Sequence, residues 1–119
     1  MKDRRIPRAV YRVGEDPDPR LSLANERTFL AWIRTSLALI ATGVALEALH
    51  VPIRPDFRLA AAGVFVVLGL VAPIHAWVSW MRTERAMRQN QSLPGPTLSG
   101  LVVLGVSVAA VLVIAGAWL

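Results

Sequence analysis

Between Phe29 and Leu119 the chain carries three stretches of about twenty residues that are nearly free of charge. They constrain the fold more than any other feature. The first runs from about Phe29 to Leu49 and is broken by Arg34 and Glu47. The second, Leu59 to Met81, and the third, Leu98 to Leu119, contain no charged residue. At about 1.5 Å per residue each matches a hydrocarbon core of roughly 30 Å. Inside lipid the backbone must satisfy its own hydrogen bonds, and the apolar residues do not alternate as a strand requires, so each stretch reads as a helix. The expected fold is an all-α membrane protein of three transmembrane helices, spanning about 29–49, 59–81 and 98–119, within a domain of residues 21–119.

Charge sets the expected orientation. Lys and Arg number seven up to Arg27 and three in the second loop (Arg82, Arg85, Arg88), against Arg54 and Arg58 in the first loop. Excess Lys and Arg mark the cytoplasmic side, so the N-terminus is expected inside and the C-terminus outside. The same bias accounts for a pI near 11.3 without nucleic acid. Residues 1–20 hold six basic and four acidic residues, three prolines and little apolar periodicity, and read as a mobile basic cytoplasmic tail. Ser22 is the expected N-cap of the first helix, placing its start near Leu23. The second helix is expected to continue past Met81 until Leu93-Pro94-Gly95-Pro96 stops it.

Several chemistries are excluded. With no cysteine there is no disulfide, thiolate nucleophile or Cys-ligated metal. Two histidines, His50 and His75, make no metal cage, so neither metal nor cofactor is expected. Glu26, Glu47 and His75 offer no acid–base pairing, which argues against an enzyme.

The informative segment is Asn25-Glu26-Arg27-Thr28 and the turns after it. At 100° per residue, Ala31, Arg34, Thr35, Ala38, Thr42 and Ala45 fall within about 80° of Arg27, all small or polar. The opposite arc, with Phe29, Leu30, Ile33, Leu37, Ile40 and Val44, suits lipid. Arginine at a helix centre costs on the order of 2.5–3.5 kcal/mol on insertion scales, so Arg34 demands a reason. It either snorkels or pairs with an acid such as Glu26 or Glu84, or it joins Arg27 facing a polar cavity. Rings of arginine from several subunits select anions.

On the second helix, His75, Ser79 and Arg82 share a face, and Pro73 cannot donate to the Gly69 carbonyl, so a local adjustment is expected there. Arg82, Arg85 and Arg88 read as anchors to anionic lipid headgroups, with Arg82 also an anion-gathering candidate. Gly105, Ala109 and Gly116 form one small seam on the third helix and Gly100 and Ser107 another, which together suggest a homo-oligomer. Glu47 reads as an anchor at the outer interface.

The run Leu23-Ala24-Asn25-Glu26-Arg27-Thr28-Phe29-Leu30-Ala31-Trp32-Ile33-Arg34-Thr35, followed by two further spans, resembles the YidH-like family of small bacterial inner-membrane proteins. The three-helix unit is also similar to the membrane part of the eukaryotic vacuolar transporter chaperone complex, which makes and moves polyphosphate. The resemblance implies a three-span, N-inside protein of the bacterial inner membrane whose eukaryotic relatives assemble several copies around a polyphosphate path lined by basic residues. On that analogy Arg27 and Arg34 are the pore-side cations, and an anionic, polyphosphate-like substrate is expected. Two functions are therefore expected: an oligomeric anion conduit, or an accessory membrane subunit that binds a partner or anionic lipid without transport.

Overall fold

Three of the four helices grow out of the apolar stretches. The computed structural model describes residues 4–119. Helix α1 covers Arg8–Tyr11, α2 Pro19–Ala48, α3 Pro55–Arg88 and α4 Thr97–Trp118. The last three are each long and apolar enough to cross a membrane, and no strand occurs among the described residues.

The helix ends follow local chemistry. Asp18, not Ser22, is the N-cap of α2: its carboxylate accepts the Arg20 N–H at 2.9 Å, and Pro19 opens the helix, where a missing N–H costs nothing. Two helices stop on a left-handed residue. After α2, His50 (φ 49°) turns the chain so that its own N–H meets the Glu47 carbonyl and Val51 N–H meets Leu46. After α3, Asn90 (φ 53°) does the same, with Gln91 N–H reaching the Ala86 carbonyl at 2.8 Å. α3 therefore ends at Arg88, short of the expected proline stop.

α3 packs antiparallel against both α2 and α4, while α2 and α4 make no backbone approach to each other. The face of α2 turned to α3 runs Asn25, Phe29, Trp32, Ser36, Leu39, Gly43, with gaps alternating four and three, the seam of a coiled coil. Ser36 lies against Gly69 and Gly43 against Ala62, where a Cβ on Gly43 would fall 2.7 Å from the Ala62 carbonyl oxygen. Asn25 reaches Trp80. Phe29 and Ile40, placed on the lipid arc from sequence, turn inward: Phe29 meets Trp77 edge-on at 5.9 Å, and the Ile40 side chain covers Gly69.

Pro73 lies inside α3 without breaking it. The Gly69 carbonyl that Pro73 cannot serve accepts instead from the Ser36 hydroxyl of α2. The adjustment expected at Pro73 is thus a hydrogen bond borrowed from the neighbouring helix.

On α4, the Gly105, Ala109, Gly116 seam faces α3: Leu68 covers Gly105, Ala109 is fully buried, and Gly116 meets Phe57. That seam is used inside the chain, whereas a Cβ on Gly100 would meet no packing neighbour within 4 Å among the described residues. Thr97 is level with His75, and Gly105 with Leu68. The apolar belt of α4 therefore begins about 9 Å deeper than that of α3, which reaches Met81.

Where a mobile tail is expected, residues 4–18 fold back on the end of α3; residues 1–3 lie outside the described residues. Val10 is fully buried. Arg88, 6% exposed, donates to the carbonyls of Val13 (2.9 Å) and Tyr11 (2.9 Å) and to Asp16 (2.6 Å), and its own carbonyl accepts Glu15 N–H at 3.0 Å. Arg85 donates to the Ala9 carbonyl. Gly14 makes this possible: its φ is +58°, and a Cβ there would collide with the Arg88 carbonyl oxygen. The first loop is tied as well, Arg58 bridging Glu47 at 3.3 Å and the Val51 carbonyl at 3.0 Å.

Candidate functional site

The residues singled out from sequence fall into three places. Arg27 and Arg34 lie on the outer face of α2, roughly opposite the Asn25–Ser36–Gly43 seam, and both are exposed. Neither forms a hydrogen bond or ion pair among the described residues. Thr28, Thr35 and Thr42 bond back to the carbonyls of Ala24, Ala31 and Ala38, at 3.1, 3.1 and 2.7 Å. Their donors are thereby satisfied within the helix, leaving a stripe of small residues, hydroxyl oxygens and two guanidinium groups.

Glu84 is not the partner of Arg34. It is 2% exposed and accepts from Asn25 Nδ2 and from Ser22 Oγ, each at 3.2 Å. Asn25 Nδ2 also donates to the Trp80 carbonyl at 3.1 Å. Within the Asn25-Glu26-Arg27-Thr28 motif, then, Asn25 turns inward to clamp α2 to α3, while Glu26, Arg27 and Thr28 stay on the outside.

His75 and Ser79 line a cleft of about 280 Å³ between Thr28 and Trp32 of α2 and the start of α4. His75 Nε2 is 3.0 Å from the Thr97 hydroxyl, and its buried Nδ1 has no partner among the described residues. Arg82 is exposed and apart from the α2 stripe. Among the described residues no three His, Asp or Glu side chains gather as a metal would require.

The depth of Arg34 follows from the register. Ser36 opposite Gly69 and Asn25 opposite Trp80 put Arg34 level with Val71, near the middle of the charge-free stretch 59–81. That is about 15 Å from the level of Met81. An arginine side chain spans roughly half of that, so snorkelling alone does not bring the guanidinium to the headgroups. Glu26 lies about 12 Å nearer the N-terminal side, on a side chain that tilts further that way.

Sequence reasoning misses the clamp residues Ser22 and Glu84, the Ser36–Gly69 bond, and Arg88 as the anchor of the N-terminal segment. Only the Pro73–Gly69 spacing signals any of them. Outside the spans, the Arg5 guanidinium at 2.8 Å, and then that of Arg88, holds the Asp16 carboxyl below its ordinary range.

Residues 20–86 match the model of a family described as a domain of unknown function, DUF202. The chain belongs to that family. It is 40% identical over 109 residues to the inner membrane protein YidH of Escherichia coli (strain K12), covering 87% of this chain and 91% of the relative. It is 38% identical over 101 residues to an uncharacterized protein of Mycobacterium tuberculosis (strain ATCC 25618 / H37Rv), covering 84% and 83%. No solved structure matches. With three helices of membrane length, this DUF202 protein is a multi-pass protein of the inner membrane. The family match holds the whole α2–α3 clamp and the arginine stripe, and it stops before Arg88 and α4.

Proposed function

We propose that this DUF202 protein is an oligomeric conduit for anions, with the outer face of α2 turned to a shared axis and Arg27 and Arg34 forming two rings of charge. The N-terminus lies in the cytoplasm and the C-terminus outside, as the ten-to-two distribution of Lys and Arg implies. One observation carries the reading: Arg34 lies level with the middle of the charge-free stretch 59–81, on a face its own helices leave open, with no carboxylate at its level among the described residues. A second copy in the same orientation has its acids at the same depths, so it supplies no counter-charge either. An anion in a water-filled path does. The proposed similarity to the vacuolar transporter chaperone suggests polyphosphate-like polymers as the substrate class. The stripe's hydroxyls, on Thr28, Thr35 and Thr42, donate to backbone carbonyls and not to a base, so the reading is of a path and not a catalyst.

The test is anion efflux from liposomes holding the purified protein. Arg34→Ala should slow efflux at least about tenfold, since a unit charge at about 4 Å is worth up to about 4 kcal/mol, roughly a thousandfold, at an effective dielectric of about 20, and water in the path screens part of it. A protein that is monomeric in lipid, or an Arg34→Ala variant with unchanged efflux, overturns the proposal.

A further inference from the structure

We propose that the docked N-terminal segment is a binding site for the headgroups of anionic phospholipid, with Arg8 and Arg12 as its contact residues. The sequence places headgroup contact on Arg82, Arg85 and Arg88, but two of these are committed elsewhere. All three guanidinium nitrogens of Arg88 are engaged, and Arg85 holds the Ala9 carbonyl. Their work is to carry other charges into position.

The depth of the segment follows from what it touches. Arg85 and Arg88 lie four to seven residues beyond Met81, about 6–10 Å past the hydrocarbon edge. The polar layer of a bilayer is roughly 5–8 Å thick on each side, so Ala9, gripped by Arg85, lies in the headgroups and Arg88 at their outer edge. An aromatic ladder fixes the same level. Trp77 and Trp80 stack at 5.2 Å and Tyr11 meets Trp80 edge-on at 6.5 Å, which is where such rings settle at a membrane interface.

Within that layer the segment sorts its own charges. Asp16, the acid nearest the clamp, is bridged by Arg88 at 2.6 Å and Arg5 at 2.8 Å. Val10 points into the protein, fully buried, while Arg8 and Arg12, one turn apart, are exposed and have no partner among the described residues. The result is a pair of guanidinium groups without a partner among the described residues, held at headgroup depth, which suits a phosphodiester with net negative charge better than a zwitterionic headgroup.

Quenching of tryptophan fluorescence by brominated lipid reads this in a Trp32→Phe, Trp118→Phe background, which leaves Trp77 and Trp80 beside the segment as the reporters. Full-length protein is reconstituted in phosphatidylcholine vesicles containing brominated phosphatidylglycerol or, at equal bromine, brominated phosphatidylcholine. The protein is expected to prefer phosphatidylglycerol, and Arg8→Gln with Arg12→Gln to lower that preference roughly tenfold. Gly14→Val leaves both arginines in place but removes the left-handed turn that docks them, and it should lower the preference as well. A double arginine variant that keeps the preference overturns the site. So does a Gly14→Val variant that keeps it after the Glu15 amide signal has reported undocking. Neither substitution touches Arg34, so the anion-conduit proposal stands or falls separately.

Discussion

Replacing Ser36 by Ala should destabilise the protein, and replacing Pro73 by Ala should remove most of that cost. Ser36 is 3% exposed, and its hydroxyl donates to the Gly69 carbonyl that Pro73 leaves without an intrahelical donor. Gly69 is itself buried, with the Ile40 side chain over it, so no water replaces the lost donor. An orphaned buried carbonyl costs about 1–3 kcal/mol, while hydrogen bonds between membrane helices average about 0.6 and reach about 1.7 kcal/mol. The expected loss for Ser36→Ala alone is therefore about 1–1.5 kcal/mol. With Ala at position 73 an N–H becomes available to Gly69, and the same Ser36→Ala change should then cost no more than about 0.5 kcal/mol, the usual scatter of independent sites. Reversible unfolding of all four variants in mixed micelles, followed by tryptophan fluorescence, gives the coupling energy. Equal cost of Ser36→Ala in both backgrounds refutes the claim that α2 supplies what Pro73 withholds.

Two further outcomes follow from the ends of the elements. The Asp16 carboxyl is held below its ordinary value of 3.8 by Arg5 and Arg88, so its contribution to docking is complete above that value and lost as pH falls through the lowered folded value. The Glu15 amide shift should hold from neutrality to about pH 4 and move only in stronger acid; Asp16→Asn should remove that acid limb. His50 adopts a left-handed conformation that costs a non-glycine residue roughly 1–2 kcal/mol, partly offset by the greater unfolded freedom of glycine. His50→Gly should therefore raise stability by about 0.5–1 kcal/mol in the same unfolding assay.

Hydropathy alone reveals the three helices, because a span of lipid demands length and apolarity and little else. The arginine stripe is also legible: residues at helical spacing share a face whatever packs against the rest. The contact face of α2 is not. Its seam is built from Asn25, Ser36 and Gly43 as much as from Leu39, and in a membrane helix small and polar residues make interfaces without any contrast in hydrophobicity. Phe29 and Ile40 read as lipid-facing for the same reason. The N-terminal segment was illegible because its docking rests on single residues, Val10 as a plug and Gly14 as a hinge, against one arginine 72 positions from its acid. Pro73 points to a missing bond, but nothing in a one-dimensional reading names Ser36 as the donor.

The offset between α3 and α4 has a mechanical consequence. Two apolar belts of similar length, displaced by about 9 Å, cannot both match one flat bilayer. Each ångström of hydrophobic mismatch costs a fraction of a kcal/mol. The molecule must lean, or the lipid beside α4 must dip on the N-terminal side and swell on the other. Lipid thickness is thus a control on how this protein stands in its membrane.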